Sequence, residues 1–279
     1  VNSGFLGAGL LGPSGIKTSR GIATPIPTLG AELLTNGNFD AGDTGWTHGA
    51  AWSIGSGVAT GIATNFNGIA QGSLTTNVWY ISQIDVVTRT AGYVYMQYGA
   101  SANTVQHSTT GTKYQVGRGD AGAFRIVGAD AFGGTVDNAS CKAITLASVF
   151  AGRAQASADM DISAPVTLFE RGLRAGVTAR LDSLTSPANF LMASHDGAYA
   201  RLTQCKAGAY TELIVTSLTY VAGAAVRIWV SGNTAKLYYN GAQVGANQTI
   251  DAALTGTIFG KFNTHASNVL GACTIVPAA

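Results

Sequence analysis

Charge is what this sequence has least of. Only 11% of its 279 residues are Asp, Glu, Lys or Arg, under half of the roughly 25% usual in soluble domains, so its surface must be polar without being ionic. A net charge of +2 and no Lys/Arg cluster leave no footprint for nucleic acid or for an anionic bilayer, and neither partner is expected. No apolar run approaches the 18 or so residues of a membrane helix. The N-terminus lacks a charged region followed by an apolar core, so no export by a cleaved leader is expected. Cys141, Cys205 and Cys273 are too few and too scattered for a disulfide framework or a zinc site, and read as buried thiols. Whether Cys205 and Cys273 pair across a sheet depends on a distance that sequence does not give.

Glutamate is scarcer still. Glu32, Glu170 and Glu212 do not form the Glu-x-Asp-x-x-Glu strand with which sandwich glucanases flank a scissile bond. There is no GxSxG elbow, no HExxH and no P-loop. His48, His107, His195 and His265 are isolated in sequence and read as loop or surface residues. No catalytic residue is assigned, and the chain is expected not to be an enzyme.

What the chain has is turns and alternation. Gly reaches 37 residues, and no segment carries a helical stripe. Val226 to Val244 reads as a three-stranded antiparallel meander, because Gly232-Asn233 and Asn240-Gly241 supply the positive-φ pairs of tight hairpins. Alternation puts Val226, Ile228, Val230, Ala235, Leu237 and Tyr239 on the core face. Arg227, Trp229, Ser231, Lys236 and Tyr238 fall on the wet one.

In chain order, residues 1–30 are rich in Gly and Pro without a sustained period and read as an extended N-terminal arm, either disordered or laid along a partner subunit. Gly7 to Gly12 spells GxGxxG, yet Pro13 and Gly15 prevent the helix that a dinucleotide site needs. Residues 31–150 carry short strands at Ala51–Ile54, Val78–Val87, Tyr93–Tyr98, Thr112–Val116, Ala123–Val127, Thr135–Val136 and Ala143–Val149. Their spacing is that of an all-β sandwich. Trp46 and Trp52 are assigned to its core. Residues 151–158, AGRAQASA, read as a small-residue linker, and 159–279 as a second β-sandwich. The fold class is therefore all-β: two tandem antiparallel sandwiches behind an arm.

Two resemblances follow from particular residues. Leu34 to Asp40 (LTNGNFD), Gly45-Trp46 and Phe132 to Ser140 (FGGTVDNAS) resemble carbohydrate-binding-module-like jelly rolls of the galactose-binding type. That family implies structural calcium near the sheet ends, which would fall on Asp40 and Asp137; the plain alternative is a pair of solvated turn carboxylates. No other cofactor is implied. The succession from Asp159 through KLYYNGAQVG to TIFGKFN resembles the laminin-G, or concanavalin A-like, jelly-roll lectins.

Candidate sugar contacts are aromatic. Alternation puts Val94, Met96 and Tyr98 in the core and leaves Tyr93, Tyr95 and Gln97 as an outward strip on which a sugar ring could stack, or which packs against another subunit. Trp229 and Tyr238 are the matching candidates on the meander's wet face. Arg118-Gly119-Asp120 reads as a turn. Tandem sandwiches of these two types resemble those of bacteriophage structural proteins, including capsid decorations, head fibres and tail-associated adhesins. The resemblance implies a virion protein assembled in the host cytoplasm, with capsid or tail proteins as partners. It also implies a homo-oligomer, trimers being the common case, and contact with host surface glycans. The alternative is an extracellular bacterial carbohydrate-binding protein.

Overall fold

The computed structural model describes residues 18–19, 22–100 and 105–278; the GxGxxG stretch lies outside them. The described chain is built from antiparallel strands and one 3-10 turn, Leu146–Val149. In order the strands are β1 (Thr18–Ser19), β2 (Leu29–Glu32), β3 (Thr47–His48), β4 (Trp52–Gly55), β5 (Val58–Thr64), β6 (Asn67–Gln71), β7 (Trp79–Tyr98), β8 (Gly111–Arg118) and β9 (Phe124–Ile144). There follow β10 (Phe150–Ala154), β11 (Met160–Thr167), β12 (Ala175–Leu181), β13 (Phe190–His195), β14 (Tyr199–Lys206) and β15 (Ala209–Ser217). The last are β16 (Ala225–Ser231), β17 (Thr234–Tyr239), β18 (Ala242–Thr249), β19 (Ile258–Asn263), β20 (Val269–Leu270) and β21 (Cys273–Pro277).

The first sandwich is a single hydrogen-bonded sheet, β2 to β9, folded over on itself. Its hinge is the long pair β7–β9, whose register slips between Gln83/Asp85, Val86/Thr88, Arg89/Ala91 and Ala91/Tyr93. Each slip is a bulge, and bulges bend a strand and tighten its twist. Gly92 sits in this bend at φ +64, with no room for a side chain against the Ala129 carbonyl. Beyond the bend, the two halves of β7 line opposite walls of one core containing Trp46, Trp52, Ile84, Met96, Tyr98 and Phe132. The sequence breaks β7 and β9 into several short strands because the bulges interrupt their alternation.

The second sandwich has two sheets. One runs β1-β21-β11-β16-β17-β18, with β20 also on β11; the other runs β10-β19-β12-β13-β14-β15. The meander forms as its turns dictate. Val226, Ile228 and Val230 face Tyr239, Leu237 and Ala235 in register, and all six are buried.

Two boundaries differ from the sequence expectation. The stretch read as a linker is structural: Phe150–Ala154 pairs with β19 along its whole length. Just beyond it, Arg180 holds Ala158 and Asp159, donating from Nε to the Ala158 carbonyl at 2.9 Å and from Nη2 to Asp159 at 2.6 Å. Small residues mark this strand because it packs flat on another backbone: a Cβ on Gly152 would meet the Phe259 carbonyl at 3.0 Å. The described end of the arm lies on this chain itself. Thr18–Ser19 pairs with Cys273–Thr274, and Ile22 is buried in the core of the second sandwich.

β12 and β13 are buried at every position, which for strands means that both faces are covered. One face packs on the sandwich's own core through Val177, Ala179, Leu191 and Ala193. The other packs on the first sandwich, where Phe190, Met192 and Phe262 meet Trp79, Ile81 and Val116. The two sandwiches thus share a third apolar core.

Candidate functional site

The register of the first sandwich assembles one outer face from three neighbouring strands. Tyr93, Tyr95 and Gln97 on β7 lie opposite Ala129, Val127 and Arg125 on β9, and Arg125 in turn lies opposite Ala70 on β6. Val94, Met96 and Tyr98 are buried on the other face, as the alternation predicts, while Tyr93, Tyr95 and Gln97 are half-buried. The Tyr93 and Tyr95 rings sit 6.3 Å apart at 38°. Burial raises both phenol pKa values, with Asp130 adding to the effect at Tyr93 and Tyr93 itself adding to it at Tyr95. Both therefore stay neutral and act as donors at physiological pH.

Next to this strip the face opens into a groove of about 630 Å³. Its floor is made of small residues, Gly68, Ala70 and Ala123; its polar rim carries His48, Asn67 and Arg125. His48 lies 3.5 Å from Asp43 and bonds the Gly49 carbonyl at 3.2 Å, which holds the imidazole at the rim. Phe66 stands at the edge. It is 71% exposed and occupies the left-handed region at φ +52, at the break between β5 and β6, which pair one after the other along β9. That break is pinned by Asn65, whose side chain accepts the Ala131 amide at 2.8 Å. A bulky residue at positive φ is strained by on the order of 1–2 kcal/mol, where Asn or Gly would sit freely. Strain and an exposed ring at a groove rim together make Phe66 a candidate contact position. The sequence does not single out Phe66, because a break within one strand direction carries none of the residue pairs that mark tight hairpin turns.

The other expected site residues are placed elsewhere. Trp229 and Tyr238 lie on the outer face of the second sandwich, apart from the Tyr93 strip, and each already has a cation over its ring. Lys236 Nζ sits 4.2 Å from the Trp229 centroid and the Arg227 guanidinium 4.3 Å from that of Tyr238. Arg227 is itself fixed by a forked contact to Asp161, with Nε at 2.8 Å. One stacking face of each ring is therefore taken.

Asp40 accepts from Asn38 at 2.5 Å, and Asp137 accepts the amide of Asn138 at 2.6 Å. Asp137 lies opposite Asp85 on β7, whose oxygens take Thr112 and Asn138. Among the described residues no group of three or more His, Cys, Asp or Glu gathers to hold a metal ion. The three cysteines are buried and form no disulfide with one another.

Two histidines read as surface residues are core residues. His107 is 3% exposed, and burial with Lys113 and Arg171 nearby pushes its pKa down to about 3. His195 is fully buried, packed 4.6 Å from the Tyr239 ring, and accepts the Gly197 amide at 2.9 Å. Isolated in sequence, His107 gives no sign of the bridge to Val94 that encloses it, whereas His195-Asp196-Gly197 reads as the turn that it forms between β13 and β14.

Two of the three glutamates, Glu32 and Glu212, are committed to structure. Glu32 accepts the amides of Leu33, Leu34 and Cys141 and the Ser140 hydroxyl, so this one side chain fastens β2 to β9. Glu212 accepts from Thr203 at 2.9 Å and lies 3.7 Å from Arg174. Among the described residues that line the groove there is no carboxylate, though Asp43 stands beside His48 and Asp120 accepts the Ala100 amide.

No protein-family model matches the chain, and no curated protein matches it. Solved structures resemble it weakly. The carbohydrate-binding module CBM66 from Bacillus subtilis is 13% identical, with 83% of this chain covering 91% of that one at a TM-score of 0.27. The xylan β-1,4-xylosidase from Bacillus halodurans C-125 is 18% identical over 47% of this chain and 31% of that one, at a TM-score of 0.37. The GH43 protein BlXynB from Bacillus licheniformis is 17% identical over 46% of this chain and 29% of that one, at 0.35. This chain thus spans about a third or less of the last two proteins. With every TM-score under 0.5, none of these likenesses bears on function.

Proposed function

We propose that this chain is a non-catalytic glycan-contact protein that binds through the outer face of its first sandwich, with Phe66, Tyr93 and Tyr95 as stacking rings. The amide of Asn67 and the guanidinium of Arg125 would serve as the polar contacts. The single observation that carries this reading is Phe66: an exposed ring held in strained backbone at the rim of a groove floored by small residues. Flat apolar rings beside a few fixed polar groups suit sugars, whose pyranose faces are apolar and whose edges are hydroxyls. Display in many copies on an assembled virion, as the sequence resemblance implies, belongs to the same proposal, because avidity compensates for a shallow site.

A glycan array probed with the purified chain and with Phe66→Ala tests the groove. Binding that disappears in the variant supports the reading, and binding unchanged in the variant ends it. Mass spectrometry of purified particles against culture supernatant separates the virion setting from the extracellular one.

A further inference from the structure

A second cavity, of about 180 Å³, lies where the two sandwiches meet. Its floor follows from strand register: Tyr114, Gln83 and Ser140 lie side by side on β8, β7 and β9. One step along the same face, Val116, Ile81 and Lys142 form the next row. The apolar members of that row run under the second sandwich, so the cavity marks the point at which the shared core ends and polar side chains begin. The second sandwich contributes His265, whose ring stacks on Phe169 at 5.4 Å and lies 5.1 Å from Tyr114.

The polar groups here are mostly donors. Among the described residues the Gln83 amide bonds to nothing else in the chain. Lys142 Nζ stands 4.0 Å from Glu32, beyond the 2.7–3.2 Å or so of a hydrogen bond, and the oxygens of Glu32 already accept four other donors. His265 accepts the Ser267 amide on Nδ1 at 3.2 Å, which in the neutral ring leaves Nε2–H as a donor. Burial lowers its pKa and keeps it in that form. An ammonium, an amide and an imidazole N–H beside the Tyr114 ring call for an acceptor-rich, negatively charged group attached to a compact ring. The volume admits one ring with its substituents and falls below the roughly 300–1,000 Å³ of pockets for larger ligands.

We infer that this junction cavity binds a ring-sized carboxylate of the hexuronate class, with the carboxylate on Lys142 and the ring over Tyr114 and Gln83. The site is separate from the Phe66 groove and does not depend on it. Because its walls come from both sandwiches, the ligand would bridge them.

The test uses the full chain with D-glucuronate, and with D-glucose as the neutral control, read by saturation-transfer NMR and calorimetric titration. Glucuronate is expected to bind and glucose not to. Lys142→Met should weaken glucuronate at least tenfold while the unliganded variant melts where the parent does; Lys142→Arg, which keeps the charge, should retain binding. Phe66→Ala should leave glucuronate binding intact, which separates this site from the groove. Equal binding of both sugars, no binding of either, or full binding by a folded Lys142→Met chain would overturn the assignment.

Discussion

Tyr80 and Tyr98 belong to one strand, yet their rings stack at 6.3 Å and 14° across the core of the first sandwich. Eighteen residues of straight strand would separate them by about 60 Å. The bend at Gly92 therefore returns the strand upon itself, and the hydroxyl of Tyr98 closes the loop by bonding both Ser82 and the Gln115 carbonyl, the latter at 2.6 Å. Tyr98→Phe removes both bonds while keeping the ring, and should cost about 1–2 kcal/mol. Urea unfolding with an unchanged m-value checks this, since only stability and not the surface exposed should change.

Trp79 is the hub of the shared core. Its ring meets Tyr210 edge-on at 5.5 Å and carries the buried Arg174 guanidinium 5.0 Å above it. Burial and the neighbouring Arg201 pull Arg174 down to about 10, still fully charged at neutral pH. The two sandwiches should consequently melt in one transition. Trp79→Ala should destabilise by about 3–5 kcal/mol and split the calorimetric trace in two; a trace that stays single would show that the sandwiches are coupled elsewhere.

Asp196 and Arg201 form a buried ion pair at 2.7 Å. Burial by itself would raise the Asp196 pKa, but Arg201 and Arg174, with the amides of Ala198 and Tyr199, hold it below its usual value. A carboxylate depressed in the folded state stabilises above its unfolded pKa of about 3.9, and that contribution is lost as pH falls through the lower folded value. Stability measured against pH should fall in that acid window, and Asp196→Ala should flatten the fall. At neutral pH the variant should lose about 3–5 kcal/mol, because the buried guanidinium of Arg201 loses the carboxylate that balances its charge.

Phe66 and stability pull in opposite directions. Replacing it with Gly relieves the left-handed strain but enlarges the unfolded ensemble. Phe66→Gly should therefore unfold at or slightly above the parent midpoint while losing glycan binding. A clear drop in midpoint would instead make Phe66 a packing residue.

The thiols should be silent. All three are buried; burial pushes Cys205 up to about 11, and burial with Glu32 nearby drives Cys141 higher still. At pH 8 a thiol reagent should label none of them until the chain is unfolded, and then all three.

Much of the architecture was legible because tight turns and alternation are local signals. Gly232-Asn233 and Asn240-Gly241 gave the meander its register, and Val94, Met96 and Tyr98 gave β7 its inner face. Long-range features were not legible. Whether Phe190 faces its own sandwich or a neighbouring one has no signature in the residues around it, and β10 reads as a linker because strands of small residues look like spacers. The proposed binding face was half visible: Tyr93, Tyr95 and Gln97 declare themselves by alternation. Phe66, Asn67 and Arg125 join them only through strand pairing, which sequence spacing does not encode.

The pairing of Phe150–Ala154 with β19 also fixes where this polypeptide tolerates division. A fragment of the second sandwich started at Asp159 would surrender its outermost strand and present Phe190, Met192 and Phe262 to water, inviting aggregation. Any chimera or truncated expression product should keep the chain continuous from Thr145, and even then would need a substitute for the surface that Trp79, Ile81 and Val116 now cover.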